Sequence, residues 1–68
     1  MIKTIDCFLL LQAAVNKLVT DGADPASIVA ALTEVTVKAA ENDRDHAAIY
    51  LEGSASVLAA AAQSLRGH

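Results

Sequence analysis

Asp24-Pro25-Ala26-Ser27-Ile28-Val29-Ala30-Ala31-Leu32-Thr33-Glu34-Val35-Thr36-Val37-Lys38-Ala39-Ala40-Glu41 has the start of a helix written into it. Asp24 can accept backbone N–H bonds as an N-cap. Pro25 suits the first helical position, where its missing donor has no partner to lose. Ile28, Leu32, Val35 and Ala39 recur at steps of four, three and four, the stripe of a helix that packs on other helices. Thr33, Glu34, Lys38 and Glu41 form its polar side, while Val29 and Val37 widen the apolar surface. The β-branched run Val35-Thr36-Val37 lowers intrinsic propensity slightly, so tertiary contacts have to supply the difference.

Working toward the N-terminus, a helix is expected over about 4–20. Thr4 is its candidate N-cap, and Asp6 puts negative charge in the first turn, where the helix dipole favours it. Cys7, Phe8, Leu11, Ala14, Val15 and Leu18 share a broad apolar face, and Gln12, Asn16 and Thr20 mark the wet side. Leu9 falls among the polar positions, and Val19 at the edge of the apolar ones. Gly22, in Asp21-Gly22-Ala23-Asp24, suits a left-handed position after the helix end.

Toward the C-terminus, Asn42-Asp43-Arg44-Asp45 is a polar break, and Asp43 is the candidate cap of a third helix over about 43–65. Ala47, Leu51, Ser54, Leu58, Ala61 and Leu65 alternate in steps of four and three without a miss. Arg66 suits the end of the dipole and Gly67 a stop. Gly53-Ser54-Ala55-Ser56 carries almost no side-chain bulk. A helix-interior Gly costs about 1 kcal/mol against Ala, so another helix, from the same chain or from a second one, is expected to cross close to Gly53 and Ser54.

The whole is expected to be one all-α domain over residues 1–68, a small three-helix bundle or a helical hairpin with a third helix. A chain of 68 residues hides only about 60% of the surface its unfolded form exposes. Disulfides, metals or partner subunits usually make up the difference. Cys7 is the only cysteine, which excludes an intrachain disulfide and fits a reducing compartment. Fifteen residues are Ala, and Phe8 and Tyr50 are the only aromatics. With so few large side chains, a dense core requires helices that approach closely.

Net charge is −3, and Lys3, Lys17, Lys38, Arg44 and Arg66 are scattered, so the clustered positive charge that attracts phosphate backbones is missing. The longest apolar run, Cys7 to Leu11, falls well short of the roughly 20 residues of a membrane span. It also lacks the charged start and small-residue cleavage site of a signal peptide. A cytoplasmic protein is expected.

Two stretches carry motif-like spacing. Leu18 to Ile28, with Gly22 in the turn and Asp24 as cap, resembles a helix-turn-helix, which implies a DNA-associated regulator. The residues it would turn toward base edges, Pro25, Ala26, Ser27, Val29 and Ala30, offer no bidentate donors. Tyr50 to Leu58 resembles histidine phosphotransfer domains around Leu51-Glu52-Gly53-Ser54. Ile49 stands where that family has its phosphoacceptor His and Glu52 where it has Lys, so no phosphorelay chemistry is carried over. His46 has Asp43, Asp45 and Tyr50 within a turn, but further ligands at usable spacing for a metal are missing. His68 is a terminal residue with no partner in the pattern. No nucleophilic triad, carboxylate pair or Gly-rich phosphate loop stands out, so neither an enzyme nor a cofactor is expected.

These readings converge on a protein–protein interaction module, self-associating and acting as an adaptor or regulator, with a DNA-associated regulator as the alternative. Leu9, Leu10 and Leu11 in succession span about 200° of a helix, more than one bundle core covers. A homodimer is therefore expected, its interface drawn from Leu9, Leu10, Val19, Val29, Val37, Gly53 and Ser54.

Overall fold

Capping explains where the central helix begins. In the computed structural model, which describes residues 2–67, α2 runs Pro25–Ala40. The Asp24 carboxylate accepts the Ser27 backbone N–H at 2.7 Å and the Ser27 hydroxyl at 3.2 Å, and its carbonyl accepts the Ile28 N–H at 3.1 Å. Those bonds satisfy donors that the first turn leaves without helical partners. At the other end the Asn42 side-chain amide donates to the carbonyls of Lys38 and Ala39, at 3.3 and 3.1 Å. The helix stops at Ala40 rather than Glu41, and Glu41–Asp43 forms a short 3₁₀ turn, η1.

The first helix, α1, is Thr4–Thr20. Its N-cap is Lys3 and not Thr4, which is already the first helical residue. The Asp6 carboxylate reaches back to accept the Lys3 backbone N–H at 3.1 Å. A Lys ammonium cannot accept in return, so this is one arm of a capping box. The exit from α1 is a Schellman turn: Ala23 N–H donates to Leu18 C=O at 2.9 Å and Gly22 N–H to Val19 C=O at 3.1 Å. Gly22 takes φ +95°, a conformation that Gly adopts without steric cost.

The third helix, α3, is Ala47–Arg66, and it starts four residues later than the sequence pattern suggests. His46 is its N-cap by position, without a side-chain cap bond. Asp43 is used differently: its carbonyl accepts the His46 N–H at 3.1 Å in a turn, and its carboxylate is taken by side chains. Gly67 follows with φ −72°, so the stop makes no use of left-handed freedom.

Among the described residues the chain is all-helical, with three α-helices and no strand. It divides into two compact units, Met1–Leu32 and Thr33–His68. In the first, Ile28 is 7% exposed, and Val15, Ala23 and Leu32 are half-buried. In the second, Ala40 is 7% exposed, and Asp43, Ala47 and Leu51 are half-buried where η1 meets α3. All other described residues are exposed. His68 lies outside the described residues.

Candidate interaction surface

Each helix carries an open apolar face. On α1, Leu9 is 58% and Leu10 67% exposed, and Phe8, Leu11, Leu18 and Val19 are exposed as well. The stretch thus presents large side chains on nearly every side of its middle turns. Cys7 stands among them, exposed and free rather than packed away as a small hydrophobe. On α2, Val29, Val35 and Val37 are exposed, and Val37 lies in a shallow open groove with Thr33, Glu34, Lys38 and Glu41. The stripe that a bundle core needs, Ile28-Leu32-Val35-Ala39, is therefore buried at Ile28, half-buried at Leu32 and open at Val35 and Ala39.

The largest difference from the sequence pattern is on α3. The four-three spacing reads as a core stripe, yet Leu58 is 65% and Leu65 77% exposed, and Ser54 and Ala61 are open with them. A Cβ placed on Gly53 meets nothing within 4 Å. No described residue fills the space that a helix crossing at Gly53 is expected to fill. Leu58 and Leu65 are surface residues that the spacing alone assigns to the interior, because periodicity gives a shared face and not what covers it.

One polar cluster stands beside these faces. The Asp43 carboxylate accepts the Tyr50 hydroxyl at 2.8 Å and lies 3.1 and 3.2 Å from Nδ1 of His46. The rings of His46 and Tyr50 sit 6.1 Å apart, tilted by 32°. The Tyr50 hydrogen bond, then that of His46, stabilises the Asp43 anion and lowers its pKa from the usual 3.8. The same Asp43 bond, with some desolvation and the carboxylate charge, raises the Tyr50 phenol above 10.0. Two side chains converge on one carboxylate, and their effect is to tie the turn to the first turn of α3. Asp45 takes no part in these bonds. Among the described residues no three His, Cys, Asp or Glu side chains are grouped to hold a metal ion, and no helix is long and apolar enough to cross a membrane.

Of the residues singled out for an interface, Leu9, Leu10, Val19, Val29 and Val37 all lie open on their helices, as do Gly53 and Ser54. Compared with family models, with curated proteins and with solved structures, the chain finds no match.

Proposed function

We propose that this protein is a small helical interaction module whose first partner is a second copy of itself, and that it serves as an adaptor or regulator in the cytoplasm. One observation carries the reading: large apolar side chains stand open on all three helices, while among the described residues only Ile28 and Ala40 are buried. Contiguous apolar patches above a few hundred Å² are uncommon on soluble monomers and mark interaction surfaces. A second copy covers such faces by the simplest symmetry, a two-fold pairing that completes a helical bundle. Leu9 and Leu10 belong at or near that interface, because they stand on the arc that no single neighbouring helix spans.

Sedimentation at micromolar concentration and above tests this. The expected species has twice the 7.0 kDa chain mass, and the midpoint of thermal unfolding rises with protein concentration. Leu9→Lys is expected to shift the population toward monomer. A single 7.0 kDa species with a concentration-independent midpoint rules the proposal out.

A further inference from the structure

We infer that α3 pairs antiparallel with α3 of a second copy through the Ala47-Leu51-Ser54-Leu58-Ala61-Leu65 seam, with each Leu of one helix set opposite a small residue of the other. The inference rests on the self-association reading and adds a contact to the one placed on α1.

The seam has the arithmetic of a coiled coil. Leu51, Leu58 and Leu65 are seven apart, and so are Ala47, Ser54 and Ala61, three or four residues away. In an antiparallel pair the two series face one another. Leu51 meets the partner subunit's Ala61, Leu58 the partner subunit's Ser54, and Leu65 the partner subunit's Ala47, and two-fold symmetry repeats each layer. Every layer is then one large and one small side chain, a combination that interdigitates without voids. Facing small residues bring the axes to the short end of the usual range, about 8 Å. A parallel pair in register stacks Leu on Leu and then Ala on Ala, leaving each small layer underfilled.

Charge supports the same orientation. Position 66 of one helix falls opposite position 46 of the other, which puts Arg66 beside the acidic turn of Asp43 and Asp45. Antiparallel helices also set their dipoles head to tail. The positions flanking the seam are Ala48, Ala55 and Ala62 on one side and Tyr50, Val57 and Ser64 on the other. None carries a charge that opposes its own copy, and the lone acid of the helix, Glu52, lies off the seam. Ser54, Leu58, Ala61 and Leu65 stand open along the seam, and Ala47 and Leu51, half-buried where η1 meets α3, keep part of their surface exposed.

Cross-linking in the full-length Cys7→Ser chain distinguishes the possibilities. In this register position 55 lies beside its own symmetry mate, whereas position 48 lies opposite position 62, roughly 20 Å along the axis from its mate. Mild oxidation is expected to give disulfide-linked dimer from Ala55→Cys and at least tenfold less from Ala48→Cys, since a disulfide needs Cα atoms within about 7 Å. Leu58→Ala is expected to weaken dimerisation at least tenfold and to leave helicity unchanged. Equal linking at both positions, or more at 48, overturns the antiparallel pairing. No linking at either position in a sample that sediments as a dimer overturns the α3 seam and keeps the self-association reading. Sedimentation as a monomer overturns both.

Discussion

Asp24 does the most with one side chain. Its carboxylate takes the Ser27 backbone N–H and hydroxyl, and those bonds lower its pKa from the usual 3.8. A carboxyl group whose folded pKa is depressed stabilises the fold fully above its unfolded value and loses that contribution as pH falls through the folded one. Helicity measured by circular dichroism is therefore expected to hold down to about pH 4 and to decline below it. Asp43, depressed by Tyr50 and His46, acts in the same direction. Asp24→Ala is expected to lower the melting midpoint by a few degrees at neutral pH and to flatten the acid decline. Asp24→Asn, which keeps an acceptor, should stay close to the parent. An Asp24→Ala midpoint equal to the parent's contradicts the capping role. Gly22 is the second position where one residue decides. Its φ of +95° makes Gly22→Ala costly by about 1–2 kcal/mol. Gly67→Ala is the control and costs little, because Gly67 is right-handed and its added Cβ finds ordinary contacts at 3.5–3.6 Å. Urea unfolding of the two variants measures the contrast.

At the scale of the helices, legibility follows the locality of the signal. α2 was readable because its cap, its Pro and its stripe all act within a few residues. The Gly22 turn was readable for the same reason. The start of α3 was not. Asp43 is a good cap by residue type, but the helix starts only after His46, because a 3₁₀ turn and a Tyr50 hydroxyl seven residues away engage Asp43 instead. The α3 stripe was legible as a face but not as a surface, since identical spacing serves an internal core and an outer seam. Gly53 gives the element-level prediction. A Cβ there meets open space, and Gly53 lies one position off the seam. Gly53→Ala is thus expected to stabilise α3 by about 1 kcal/mol and to leave dimerisation intact. A destabilised Ala variant in thermal unfolding means that another helix does approach Gly53 in the assembled protein.

For the whole molecule, Ile28 and Ala40, the two side chains buried among the described residues, bear on how the chain becomes structured in time. Ile28 follows the Schellman turn by a few residues and Ala40 immediately precedes η1, so each burial is achieved close to a bend in the chain. Among the described residues few contacts join segments distant in sequence, and sequence-local contacts form in microseconds to milliseconds. Covering the open leucines is a different event, since it needs a second molecule. Association of two specific patches runs at about 10⁵–10⁷ M⁻¹s⁻¹, which at micromolar protein gives relaxation on the order of 0.1–10 s⁻¹. Refolding is therefore expected to separate into two phases. The fast phase recovers helix at a rate independent of dilution. The slow phase, in which bimolecular encounter sets the pace, doubles its rate when the protein concentration is doubled. Stopped-flow circular dichroism paired with light scattering follows the two phases separately, and a single concentration-independent phase in both signals means that the apolar faces close within one chain.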